Sequence, residues 1–256
     1  VESASARRAL LERLIDHAAL FPPASLPMDA AIEVDRAARA WPEAWMVNRF
    51  IVPASKLRDV PVGFEPRLSL VLDVSKLPEL AGTAVEIVET RLEKADAVAD
   101  AGVPVFLEVW PGDDAKLREV ADRGASAKVR CGGPTPDMFP SPGELAAFIV
   151  GCRDLGLRFK ATAGLHHPIR DGIAHGFLNL LAAAAFAHAG ADEHELIAVL
   201  LEDDALAFSL SDGTFAVRGR ELSAGAIAAA RTALFVGYGS CSLSEPVEDL
   251  KALRIL

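Results

Sequence analysis

A lysine, two further cations and two carboxylates fall inside short apolar runs, in a pattern suited to chemistry on a carbonyl group. Lys160 lies in Arg158-Phe159-Lys160-Ala161-Thr162-Ala163-Gly164, which opens into His166-His167-Pro168. Lys128 and Arg130 alternate in Ala127–Cys131, Glu108 is the only charge in Val105–Trp110, and Asp73 holds the matching place in Leu70–Val74. A neutral lysine amine attacks a carbonyl to give a Schiff base, but with an ordinary pKa of about 10.4 it is protonated near neutrality. Burial beside Lys128 and Arg130 would disfavour the ammonium and free the nucleophile. Pairing with Glu108 or Asp73 would do the reverse. Histidine as a residue type titrates near working pH, which makes His166 and His167 candidate acid/base groups, with Glu108 and Asp73 as further proton carriers. Three cations set against two carboxylates leave a positive site, which would focus a small anionic substrate held by Lys128 and Arg130.

The elements that must position these residues alternate between strand-like and helix-like segments, the signature of βα units and a parallel sheet. Strands are expected at Asp16–Phe21, Trp45–Val52, Arg67–Val74, Pro104–Trp110, Ala127–Cys131, Arg158–Ala163, Ala205–Leu210 and Leu234–Tyr238. Helices are expected at Thr83–Ala101, from Ser141-Pro142 to Leu155, over Gly172–Gly190, at Asp192–Asp203 and after Ser223. Eight strands in 256 residues fit a single-domain α/β protein, a (β/α)8 TIM-barrel-like fold spanning 1–256. It carries an extra helix after strand six and a small hairpin excursion at Phe208–Arg218, where Asp212-Gly213 marks a tight turn. An open doubly wound sheet is the competitor, but no glycine-rich phosphate turn follows the first strand.

Alternate side chains of a barrel strand point inward, and the strand ends carry the chemistry. Lys160 and Thr162 share a face, as do Lys128 and Arg130. Asn48 and Arg49 lie on opposite faces of the second strand, so one of them points in as a substrate contact. Parallel strands buried on both faces should be continuously apolar, and desolvating a lone charge costs several kcal/mol. The charges must therefore be paired, hydrated in a cavity, or both. A salt-bridge layer closing the barrel floor is one solution; an active-site mouth is the other, favoured because the charges lie toward the strand ends. Gly239 and Ser240, in the turn before the last helix, resemble a barrel phosphate pocket. His17 is a further mouth candidate. A metal held by a loop histidine with Asp73 and Glu108 is the alternative chemistry, although no HxH or HExxH spacing occurs.

The run Lys160-Ala161-Thr162-Ala163-Gly164 resembles the Lys-Thr-Ser-Thr-Gly segment of the deoxyribose-phosphate aldolase family. By the strand count above it falls on strand six, where that family carries its nucleophile. The resemblance implies a class I, Schiff-base aldolase-like barrel: a lyase acting on a small anionic carbonyl compound through Lys160, with no cofactor and no metal. The rival readings are a metal-assisted or histidine acid/base barrel enzyme, an isomerase or hydrolase, and a non-catalytic anion-binding barrel.

The net charge of −10 and the lack of a Lys/Arg run disfavour nucleic acid and anionic membrane as partners. At 51% hydrophobic residues the chain can bury a sizeable core. Cys131, Cys152 and Cys241 are odd in number and form no CxxC pair, which fits a reducing cytoplasm. No signal peptide or bilayer-spanning run is visible. Alanine-rich helix faces point to a homodimer.

Overall fold

The computed structural model describes residues 5–256 and forms a closed barrel of eight parallel strands. In chain order these are β1 (Ile15–His17), β2 (Val47–Pro53), β3 (Leu68–Val71), β4 (Val85–Arg91), β5 (Val105–Val109), β6 (Ser126–Arg130) and β7 (Phe159–Thr162). Three short strands follow, β8 (Phe208–Leu210), β9 (Thr214–Val217) and β10 (Arg220–Ser223), and then β11 (Phe235–Ser240) closes the barrel between β7 and β1. The architecture is the (β/α)8 TIM barrel expected from the sequence. No helix among the described residues is long and apolar enough to cross a membrane.

Two segments change places relative to the sequence expectation, which is why the total of eight still holds. Thr83–Ala101, read as one helix, is β4 followed by a 3-10 segment at Leu92–Val98. Its first half is rich in β-branched Val85, Ile87, Val88 and Thr90, which suit a strand better than a helix. Ala205–Leu210, read as barrel strand seven, instead ends in β8 and pairs antiparallel with β9 in a separate sheet ordered β10-β9-β8. The Asp212-Gly213 turn gives β8 a local partner that the barrel cannot match. Lys160 therefore lies on the seventh barrel strand, not the sixth, and the positional part of the aldolase resemblance is lost.

The helices are α1 (Ala6–Leu11), α2 (Met28–Ala38), α3 (Asp114–Asp122), α4 (Pro142–Asp154), α5 (Phe177–His188), α6 (Glu193–Leu200), α7 (Ala224–Ala233) and α8 (Ser244–Ala252). Helix α4 starts as its sequence dictates, with a reciprocal Ser141/Glu144 capping box and Pro142 in the first turn. It ends before Gly156, whose φ of +66° suits the left-handed position past a helix end. The alanine-rich α5 is covered by its own chain from Phe177 to Ala187, so it offers no free face to a partner. Its one buried amide, Asn179, donates to the Val199 and Glu202 carbonyls and ties α5 to the end of α6.

Outward-facing Leu107, Val129 and Ala161 are fully or almost fully buried, while their neighbours Glu108, Lys128 and Lys160 point to the barrel axis. At the ends of β6 and β7 the backbones meet: a side chain on Gly132 would lie 2.8 Å from the Gly164 Cα, and one on Gly164 the same distance from Gly132. Only glycines allow that approach, and it fixes the two strands that carry Lys128 and Lys160.

Candidate active site

The barrel interior holds a chain of alternating charges rather than layers of aliphatic side chains. Register places Lys128 directly opposite Lys160 across β6 and β7 and opposite Glu108 across β5 and β6. Two like charges in that relation repel, and Glu89 from β4 resolves the conflict by reaching across to both. Lys160 Nζ donates to Glu89 Oε1 at 2.5 Å and to Asp16 Oδ2 of β1 at 2.6 Å. Lys128 Nζ lies 3.0 Å from Glu89 Oε2 and 3.1 Å from Glu108 Oε2. The Ser69 hydroxyl of β3 also donates to Glu89.

From this centre the chain runs to both ends of the barrel. Toward the carboxyl ends of the strands, Arg130 Nε sits 3.4 Å from Glu108 Oε1. Toward the floor, Arg49 approaches Asp16 Oδ1 at 3.7 Å through its guanidinium and at 3.1 Å through its backbone N–H. Arg49 also pairs with Glu86 at 3.0 Å, and Glu86 pairs with Arg67 at 3.2 Å. Glu86 is the residue left over where the β3–β4 register steps from Leu68↔Val85 to Ser69↔Ile87. Side-chain exposure is 1% at Lys160 and Glu89 and rises to 33% at Arg130 and 35% at Arg67. Five cations alternate with four carboxylates, so the chain carries one unmatched positive charge.

Burial alone pushes the Glu89 carboxyl up, but Lys160 and Lys128 overcome it and hold Glu89 far below the ordinary carboxylate range. Glu108 follows the same pattern: burial opposes ionisation, and Lys128 and Arg130 bring its pKa down. For Lys128 burial favours the neutral amine, yet Glu89 and Glu108 win and raise its pKa. The centre is thus a set of mutually fixed ions.

Of the residues singled out from sequence, Lys160, Lys128, Arg130 and Glu108 come together, and Arg49 joins them through Asp16. Arg130 stands opposite Thr162 in the β6–β7 register, with Gly239 beside Thr162 across β7 and β11. Asp73 does not join the cluster. Strand β3 ends at Val71, and Asp73 lies in the following loop, where it accepts bonds from the Ser55 hydroxyl and from the Ser55 N–H at 2.9 Å. Despite some opposition from burial, those bonds lower its pKa. The histidine pair also stays apart: His166 contacts Glu245 at 3.3 Å and His167 contacts Asp249 at 2.7 Å, both on α8. Asn48 sits on the floor side, its Oδ1 accepting from Arg67 at 3.1 Å and Arg13 at 3.4 Å. His17 is wholly buried and bonds Asp35 of α2 at 3.0 Å. Ser240 is buried, and its hydroxyl donates to the Ser242 carbonyl at 2.6 Å while accepting the Ser242 N–H. The turn before α8 thus satisfies itself and leaves that hydroxyl no spare proton for a phosphate. Among the described residues no cluster of His, Cys, Asp and Glu has the arrangement of a metal centre.

Sequence reasoning missed Asp16 and Glu89, the two carboxylates that hold Lys160. The β-branched content of Val85–Thr90 was the available signal for Glu89; Asp16 lies in a three-residue strand too short to show an alternation.

No family model matches the chain, and no curated protein sequence matches it. Among solved structures it is similar to Xanthomonas albilineans dihydropteroate synthase with 4-aminobenzoic acid, at 13% identity and a TM-score of 0.43, over 96% of this chain and 93% of that one. The same enzyme in complex with indole-2-carboxylic acid and 6-chloroguanine gives 15% identity and a TM-score of 0.43, over 96% and 92% of the two chains. Likeness at this level assigns neither a family nor a substrate; what the strand pairing itself establishes is a closed eight-stranded parallel TIM barrel.

Proposed function

We propose that this barrel takes a small anionic compound at the carboxyl ends of its strands, with Arg130 as the anion ligand and Glu108 and Lys128 as the charged groups next to it. The observation that carries this reading is the incomplete pairing of Arg130. Among the described residues its one carboxylate partner, Glu108, is at 3.4 Å and is shared with Lys128, and its other contact is the Gly132 carbonyl, also at 3.4 Å. A guanidinium has five N–H donors in a planar fork suited to carboxylate or phosphate. A third of the Arg130 side chain is exposed, at the end of the barrel where such folds bind substrate. The remaining members of the chain hold Arg130 and Glu108 in place and keep the field at the mouth positive.

Titration of the protein with a panel of small keto acids and phosphorylated aldehydes tests this calorimetrically. A ligand bound by the native protein should lose about 10–100-fold in affinity in Arg130→Gln, the worth of a charge-assisted hydrogen-bond pair. Unchanged affinity in that variant sinks the assignment of Arg130.

A Schiff-base lyase is the second reading, and one observation favours it. Lys128 stands directly opposite Lys160 across β6 and β7, the kind of cationic neighbour that activates Schiff-base lysines. Against it stand the 1% exposure of Lys160 and the two carboxylates that stabilise its charged form. Borohydride reduction with the same carbonyl panel, followed by peptide mass mapping, separates the readings. An adduct on Lys160 supports Schiff-base chemistry there; its absence with a ligand that binds leaves Lys160 as a positioning group.

A further inference from the structure

We infer that the opposite end of the barrel carries a second anion site, a cleft of about 620 Å³ at the floor built to take a phosphate-bearing ligand. Its cations are Arg36 from the last turn of α2, Arg39 at the C-cap of that helix and Arg67 from the lead into β3, and Phe64 and Pro66 form part of its wall. Arg36 and Arg39 are three residues apart on a helix and so stand side by side on one face. The chain as a whole carries −10, and three guanidiniums converging on one concavity gather cationic donors against that field.

Their hydrogen bonding shows which donors remain. Arg39 is anchored from behind, its Nε 2.6 Å from Asp35 Oδ2 and its Nη2 3.0 Å from the Asn48 carbonyl, which leaves Nη1 uncommitted. Arg67 is anchored by Nη1 to Glu86 at 3.2 Å and by Nη2 to Asn48 Oδ1 at 3.1 Å, which leaves Nε. Arg36 makes no ion pair among the described residues and keeps its whole fork. Two of the three guanidiniums are thus held in position before any ligand arrives, which lowers the ordering cost of binding. Glu65 is the one carboxylate lining the cleft, and it pairs with none of the three arginines among the described residues. Asp35 and Glu86 already offset Arg39 and Arg67, so what the cleft offers a ligand is its convergent free donors. Phosphate oxygens match several guanidinium donors at once.

Inorganic phosphate and pyrophosphate are the probes, titrated calorimetrically into the full chain against sodium chloride at matched ionic strength. The native protein should bind pyrophosphate more tightly than phosphate. Arg36→Gln, an exposed substitution that disturbs no ion pair among the described residues, should weaken pyrophosphate at least about 10-fold, in line with the loss of one charged donor. Arg130→Gln at the mouth should leave it unchanged. Three results would overturn the site: no binding of either anion, binding indifferent to Arg36→Gln, or binding abolished by Arg130→Gln. The last would place the anion at the mouth while leaving the Arg130 assignment standing.

Discussion

Lys160→Met lowers the unfolding free energy by about 3–5 kcal/mol at pH 7, the scale for breaking a buried ion pair by removing one partner. The lysine stands between Asp16 and Glu89, both within 2.6 Å and both 3% exposed or less. Methionine fills similar space, so lost volume contributes little and the cost is that of two carboxylates stripped of their nearest cation. Asp16 would keep Arg49 at 3.7 Å and Glu89 would keep Lys128 at 3.0 Å, which sets the lower end of the range. Urea unfolding measures the effect directly. A loss below about 1 kcal/mol, the range of exposed ion pairs, would show that the central lysine is not structurally engaged and would revive it as a free nucleophile. Pairing Lys160→Met with Glu89→Leu should recover part of the loss, because removing both partners leaves no orphaned charge at that contact.

This result bears on how the charged core should be understood. Interior ion pairs seldom stabilise a fold relative to apolar packing, because desolvation offsets the Coulomb gain. A barrel that fills its axis with nine alternating charges therefore gains something besides stability. The gain is a rigid row of cations that ends at the mouth on Arg130, with each inner member fixed by two neighbours. A site built that way presents a positive group without the freedom of a lone arginine on a loop.

Much of this site could be read in the chain, and the failures have local causes. Lys128, Lys160 and Glu108 were legible because a lone charge inside a short apolar run is costly unless it serves or pairs. Glu89 was hidden because Glu86, Glu89, Arg91, Glu93 and Lys94 form what looks like the polar face of a helix, and the apolar positions 87, 88, 92 and 95 imitate its stripe. In the fold those apolar residues belong to two elements, β4 and the 3-10 turn after it. Asp73 was misplaced by two residues of strand length: β3 stops at Val71, and the inward-outward alternation does not extend past it. His166 and His167 follow β7 as expected, but their partners Glu245 and Asp249 lie 79 and 82 residues on, a pairing that no local pattern announces. Three cations with Asp73 and Glu108 give an excess of one positive charge; the fold keeps that excess but drops Asp73 and reaches it with Asp16, Glu86 and Glu89 set against the added Arg49 and Arg67.

Glu89→Gln should also cost about 3–5 kcal/mol at pH 7, and its pH dependence identifies the cause. Glu89 is held far below its ordinary pKa in the folded chain: burial works against the carboxylate, and Lys160 and Lys128 outweigh it. A depressed carboxyl contributes stability that is fully present above the unfolded value, about 4.3. That stability is lost as pH falls toward the folded value, because the unfolded chain takes up the proton first. Below about pH 4 each such group adds a slope of up to about 1.4 kcal/mol per pH unit, and Glu108, lowered in the same way, adds its own. The native protein should therefore lose stability steeply below about pH 4–5, while Glu89→Gln lacks one group's share of that slope. The gap between the two narrows as pH falls from 5 to about 3. Lys128 sets the opposite limb: its pKa is raised, since Glu89 and Glu108 overcome the effect of burial, so its contribution holds below about pH 10.4 and fades as pH rises through the folded value. Urea midpoints across this range check both limbs. A gap that stays constant from pH 5 to 3 would mean that glutamine disrupts packing rather than charge, and that the interior ions do not act as the coupled chain their distances describe.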